Sequence, residues 1–215
     1  MFKRVKGNDD RLVIGVTGSI ATGKSTVAVM LEEMGAPIVD CDLLSRLVVE
    51  PGKPAWEDIV SFFGEEVLLE DKTLNRKKLG EIVFQDAAKR KKLESIQHIR
   101  ILEEMAQLVE EHVERDPNAI VQGVVPLLIE VSWQPAFHKL LMVYVPEEEQ
   151  VKRLMERDNI DQEMAMKIIR SQMGVDEKKG HCDYIIDNSG SLEETRKQTA
   201  ELWENLLKIQ QDRKG

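Results

Sequence analysis

The chain has 215 residues, 42% of them hydrophobic and 32% charged, which is enough apolar material for one domain with an insertion. Its net charge of −9 excludes a generally basic surface for nucleic acid or anionic membrane, so any phosphate site must be a local concentration of Lys and Arg. Two cysteines, Cys41 and Cys182, make neither a disulfide framework nor a metal set, which points to the reducing cytoplasm.

Residues 1–10 open with a few basic side chains, but no apolar run of signal length follows and no uncharged run is long enough to span a bilayer. They are expected to form a short, loosely held tail. Leu12–Val16 then reads as a buried strand that ends in the turn Gly18-Ser-Ile-Ala-Thr-Gly-Lys-Ser25. A helix should open at Lys24 and Ser25 and carry Val27, Leu31 and Met34 on one face. Strand, Gly-rich turn and helix in this order form a Walker A phosphate loop. Gly18 and Gly23 let the backbone N–H groups of Ser19, Ile20, Ala21, Thr22 and Thr26 and their neighbours approach a diphosphate. Lys24 would reach the β- and γ-phosphates of ATP, and Ser25 can put its hydroxyl on Mg²⁺.

Four more β-branched apolar runs follow, at Pro37–Asp40, Ala119–Pro126, Leu140–Val145 and Tyr184–Asp187. Helical patterns lie between them, so the fold is expected to be α/β with a five-stranded parallel sheet of the P-loop type. In such sheets ligands gather at the carboxyl ends of the strands. The second strand ends in Asp40-Cys-Asp42, where one carboxylate could take a hydroxyl proton and another hold metal-bound water. Spacing leaves open the alternative that Asp42 only caps a helix starting at Leu43.

About eighty residues separate the second and third strands, far more than a crossover needs. Pro51-Gly52 and Gly64 break this block, and helical patterns run from Arg76 to Phe84 and from Ala88 to Glu114. Leu93, Ile96, Leu102, Met105 and Val109 are expected to face inward from the longer helix. Residues 43–117 thus read as a helical insertion beside the sheet. A smaller excursion, 147–182, should carry Arg153 and Arg157 one helical turn apart, either turned to phosphate or simply solvated beside Glu149 and Glu156. Ser191-Leu-Glu-Glu194 is a capping box that opens a closing helix lined by Leu192, Thr199, Leu202, Leu206 and Ile209.

Beyond these patterns, the chain resembles the dephospho-CoA kinase family over nearly its whole length. The matching stretches are Gly15-Val-Thr-Gly18 through Gly23-Lys-Ser-Thr26, Val39-Asp-Cys-Asp-Leu-Leu-Ser-Arg46, Val49-Glu-Pro-Gly52, Asn75-Arg76, Val125-Pro-Leu-Leu-Ile-Glu130, Arg153, Arg157-Asp158, Ser171-Gln172 and Asp183-Tyr-Ile-Ile-Asp-Asn188. The resemblance implies transfer of a phosphoryl group from Mg·ATP to the ribose 3′-hydroxyl of dephospho-CoA. It assigns Asp42 as the base and Arg46, with Asp40, His98, Val125, Pro126 and Leu127, to the acceptor pocket. Arg153 and Arg157 would meet the phosphoryl from a lid at 147–182, and Asn188, Ser189 and Gly190 would skirt the adenine. Residues 11–42, 118–146 and 183–215 would form the nucleotide-binding core and 43–117 the acceptor insertion of a monomer or small homo-oligomer that binds neither nucleic acid nor membrane.

Three positions depart from the family pattern. Ala21 stands where many members have Gly, Val124 where many have a metal-binding Asp, and Ile99 where His98 is usually followed by Pro. A nucleoside monophosphate or sugar-acid kinase would share Lys24 and the arginines but not Asp40-Cys-Asp42, Val125-Pro-Leu-Leu128 and the long insertion together. A regulatory guanine-nucleotide switch would need an Asn-Lys-x-Asp motif, and the chain has none.

Overall fold

The structure, a computed structural model, describes residues 5–7 and 11–213. Five strands, β1 (Leu12–Thr17), β2 (Ile38–Asp40), β3 (Ile120–Val124), β4 (Lys139–Tyr144) and β5 (Tyr184–Asp187), form one sheet in the order β2-β3-β1-β4-β5. Every pairing is parallel, as the runs of branched apolar residues predict; β1 and β3 are buried throughout, whereas Ile185 of the edge strand β5 is exposed.

Side-chain alternation along β1 divides the core. Leu12, Ile14 and Val16 point to one face, where they meet Val27, Ala28 and Leu31 of α1 (Lys24–Glu33). Leu202 and Leu206 of the closing helix join them there. Met34, expected on the buried face of α1, instead ends that helix and is only half-buried, while Ala28 and Met30 complete the covered side. Val13 points to the other face, into a cluster with Val121, Leu140, Phe137 and the insertion. Phe137 lies across the paired Gly15 and Gly123, where any Cβ would strike its ring.

The insertion comprises α2 (Cys41–Leu47), α3 (Pro54–Phe63), α4 (Arg76–Gln85) and the 29-residue α5 (Ala87–Arg115). Helix α3 goes beyond the sequence reading; Pro54 supplies its first turn and Gly64, at φ 85°, stops it. Asn75 caps α4 by accepting from Lys78 N, and Asp86 caps α5 through Ala88 N and Lys89 N. Ile96, Ile101, Leu102, Met105 and Val109 are buried, with Leu93 at the margin. These side chains share one apolar cluster with Val13, Val121 and Leu140 of the sheet, so the insertion covers a sheet face.

The excursion after β4 forms α6 (Glu147–Asp158), α7 (Gln162–Ile169) and α8 (Val175–Lys179), and α9 (Leu192–Asp212) closes the chain. The Ser191–Glu194 capping box is present at its start. Thr195, Thr199, Leu202, Leu206 and Gln210 form the buried stripe of α9, whereas Leu192, in the first turn, is 60% exposed. Within the expected tail, Val5 is fully buried in the apolar cluster shared by the sheet and the insertion. Residues 1–4 and 8–10 lie outside the described residues.

Candidate active site

The loop after β1 is fixed by short-range chemistry before any ligand is considered. Gly23 takes φ 81° as the residue preceding α1, a left-handed conformation that costs glycine little. A Cβ on Gly18 would press on Thr22 Oγ1 at 2.6 Å and on the carbonyl oxygen of Val143 at 2.8 Å. Thr22 Oγ1 donates to Ser19 O at 2.9 Å and closes the turn. Ala21 carries a methyl group at φ 61°, so the departure from glycine is accommodated in the left-handed region itself. Across the loop, Asn188 Nδ2 donates to Thr22 O at 2.9 Å while Asn188 Oδ1 accepts from Thr195 Oγ1 at 2.8 Å. The residue that follows β5 therefore braces the loop.

At the end of β2 the strand does not continue through Asp42. Asp40 Oδ1 accepts from the backbone N–H groups of Asp42 (2.7 Å) and Leu43 (3.3 Å), so Asp40 is the cap of α2. The alternative that Asp42 caps a helix starting at Leu43 is thereby corrected, because the helix begins one residue after Asp40. Asp42 lies in the first turn of that helix and lines the cavity with Lys24. Burial pulls the Lys24 pKa below its ordinary value; Asp42 and then Asp40 partly offset this, and nearby Lys178 adds to the lowering.

Loop and acid open into one continuous cavity of about 730 Å³. Its floor is the loop from Gly18 to Thr26, and Ser25 is exposed beside Lys24. Its far wall is Val125, Pro126, Leu127, Val131 and Trp133 with Gln97, His98 and Ile101 of α5. The His98 ring stands edge-on to Trp133 at 5.3 Å between centroids. Burial lowers the His98 pKa, and Glu94 offsets part of the effect. The His98 site thus forms without a following proline, within the unbroken helix α5.

Both arginines of α6 line the same cavity. Arg153 is held by Glu149 Oε1 (2.9 Å) and donates through Nη2 to Asn188 O (2.9 Å). Arg157 makes a two-point contact with Asp158 at 2.7 and 2.9 Å, where the sequence reading had offered Glu156 as its solvent-face partner. Its side chain remains 56% exposed.

Several sequence-predicted residues fall outside the cavity lining. Asp40 is occupied by its cap, and Arg46 is exposed in the last turn of α2. Ser189 and Gly190 line a separate shallow depression with Glu194, because Ser189 N donates to Asp187 Oδ1 and turns the chain away. Val124, at the position of the family's metal-binding Asp, is buried among Val16 and Val27 and offers no ligand. Conversely, Gln97, Ile101, Val131, Trp133 and Gln172 line the cavity without having been singled out for roles. Ser171-Gln172 was visible as a family stretch, but the apolar wall is assembled from distant segments and left no local signal.

Comparison with known proteins agrees with this geometry. The family model described as CoaE, dephospho-CoA kinase, matches residues 12–194. A dephospho-CoA kinase of Listeria monocytogenes serotype 4b is 45% identical over 91% of this chain and 97% of its own. Among solved structures, a protein from Thermus thermophilus shares 33% identity with a TM-score of 0.73, covering 90% of this chain and 97% of that one. A dephospho-CoA kinase from Campylobacter jejuni shares 28% identity with a TM-score of 0.65, covering 91% and 97%. The match of model, sequence and structure across both the phosphate loop and the insertion establishes that this chain belongs to the dephospho-CoA kinase family.

Proposed function

We propose that the protein transfers the γ-phosphoryl group of ATP to the ribose 3′-hydroxyl of dephospho-CoA, giving coenzyme A and ADP. The observation that carries this reading is the single cavity in which the Walker loop and Lys24 face Asp42 and an apolar wall built from the insertion. That arrangement suits an acceptor with both a hydroxyl to activate and a large body to bury.

The roles follow from position and chemistry. Loop N–H groups and the start of α1 cradle the ATP phosphates, and Lys24 follows the charge toward the γ-phosphoryl. Asp42 accepts the proton of the 3′-hydroxyl as its oxygen bonds to phosphorus and the bond from phosphorus to the ADP oxygen breaks. Arg153, already anchored beside the loop, meets the transferring group, and Arg157 joins once it exchanges Asp158 for phosphate oxygens. Leu127, Val131, Trp133 and His98 bury the acceptor.

Ser25 and Asp42 in one cavity fit a small hard cation that keeps much of its water and shares ATP oxygens, as Mg²⁺ does. Among the described residues no group of three or more His, Cys, Asp or Glu could hold a metal ion. Ser25, with Asp42 through water, would hold the cation, and the ion would supply charge neutralisation at the ATP phosphates.

Both cysteines are unpaired, which supports a place in the reducing cytoplasm. No helix among the described residues is long and apolar enough to cross a membrane. The test is ADP release with and without dephospho-CoA. Turnover that requires the acceptor supports the proposal; acceptor-independent or guanine-selective hydrolysis overturns it.

A further inference from the structure

The excursion 147–182 is fastened to the phosphate loop at Ile20, whose N–H, expected to face the diphosphate, is turned to a side chain of the excursion instead. Gln172 Oε1 accepts from the backbone N–H of Ile20 at 3.0 Å, joining residues 152 positions apart. The amide orientation follows from chemistry, since an N–H can only face the oxygen. Ile20 and Ala21 also pack against the small cluster of Leu154, Ala165 and Ile169 that holds α6 and α7 together. The loop tip is thus pinned on one side by a hydrogen bond and on another by apolar contact.

The next residues extend this fastening to the acceptor wall. Met173 N donates to Glu130 Oε1 at 3.2 Å, and the same oxygen pairs at 2.8 Å with Nζ of Lys178, whose side chain is fully buried. Glu130 stands beside Val131 in the segment that forms the far wall. Residues 172–178 therefore form a strap with one end on the nucleotide loop and the other on the acceptor side.

We infer that Gln172 is a positioning residue for phosphoryl transfer: through Ile20 it holds the tip of the phosphate loop in register with the acceptor wall. The physical reason is leverage. An in-line displacement needs donor and acceptor oxygens aligned, and a misplacement of about 1 Å can cost on the order of a hundredfold in rate. A loop tip released from Gln172 still binds phosphate through its other N–H groups, so the loss should fall on transfer and not on binding. This inference rests on the kinase reading, but its first readout requires no acceptor.

The test is Gln172→Met, which keeps length and removes the acceptor atom, with amide exchange read by NMR alongside kinetics. In the wild type without nucleotide, the Ile20 amide should exchange more slowly than that of Ala21, for which no acceptor stands among the described residues. In the variant, Ile20 exchange should accelerate, kcat should fall by roughly ten- to a hundredfold, and KM for both substrates and the melting temperature should hold. An unprotected Ile20 amide in the wild type overturns the inference even if the variant fails to fold. So does a variant whose kcat is unchanged, or whose loss is confined to KM or to stability. Failure of the kinase reading itself would show as absent wild-type turnover with Ile20 protection intact.

Discussion

The side chain of Asp40 holds the backbone of Asp42: Asp40 Oδ1 accepts from Asp42 N at 2.7 Å. One carboxylate starts the helix so that the other can face Lys24 across the cavity. The two acids that look equivalent in sequence therefore have separable duties.

Their separation can be measured. Asp42→Asn leaves the cap untouched, so its melting temperature should stay within about a degree or two of wild type while turnover falls roughly a hundredfold, the range of general-base catalysis. Asp40→Ala should instead destabilise the fold by about 0.5–2 kcal/mol, as lost caps do. Paired thermal melts and steady-state rates distinguish them. A stable, fully active Asp42→Asn protein would contradict the assignment.

Lys24 is coupled to the same acid. Burial lowers its pKa and Asp42 is the largest influence raising it. The ammonium is needed for phosphate, so ATP binding should weaken as pH rises through the Lys24 pKa. Asp42→Asn should move this alkaline limb to lower pH, because the charge that supports the ammonium is gone. Binding measured by calorimetry across alkaline pH checks the direction. Lys24→Ala should nearly abolish transfer with the fold intact, a charge-assisted contact being worth about 1.5–3 kcal/mol before transition-state charge is counted.

Asn188 should prove a structural prop of the loop. Its side chain is committed to Thr22 O and Thr195 Oγ1, and it is only 8% exposed. Asn188→Ala leaves buried partners unsatisfied and should cost about 1–3 kcal/mol in urea denaturation. Gly23→Ala should not be rescued by it: removing Asn188 clears the space that a Cβ needs, but the backbone still sits at φ 81°.

His98 should titrate below the usual histidine midpoint, and its sign of linkage is fixed. Unfolded chains take up the proton first as pH falls, so stability attributable to this site is lost between an ordinary histidine pKa of about 6.5 and the lower folded value. His98→Gln should flatten that part of the stability profile. Melting curves from near neutral to mildly acidic pH, for both proteins, check it.

The sheet was legible because each strand is a compact apolar run bounded by turn chemistry, and the Walker loop because all its parts are adjacent in sequence. His98, Val125, Pro126 and Leu127 of the apolar wall came through resemblance, but its remaining members Gln97, Ile101, Val131 and Trp133 did not. Trp133 and His98 meet only after α5 packs on the sheet, and nothing local marks either as the other's neighbour. Asp40 and Asp42 were found but their duties stayed open, since the choice depends on whether the helix begins at Cys41 or Leu43. Arg46, Ser189 and Gly190 were carried by resemblance, and none of the three lines the cavity.

The arginines give the sharpest dynamic test. Arg157 is tied to Asp158 at two points, whereas Arg153 is already anchored at Asn188 O. Arg157→Lys should lower kcat more than ATP affinity, because the fork is lost while charge remains. Equal losses in both would make Arg157 a ground-state contact, and no loss would leave it a solvated side chain.

The central claim is that Asp42 and the phosphate loop act on the ribose 3′-hydroxyl of one acceptor. Offering a panel of hydroxyl acceptors with Mg·ATP, and reading the products by mass spectrometry and phosphorus NMR, tests this most directly. A single new phosphate on the 3′-oxygen of dephospho-CoA is predicted, with nucleoside monophosphates and sugar acids untouched. Phosphorylation of one of those in its place, or of dephospho-CoA at another oxygen, would contradict it.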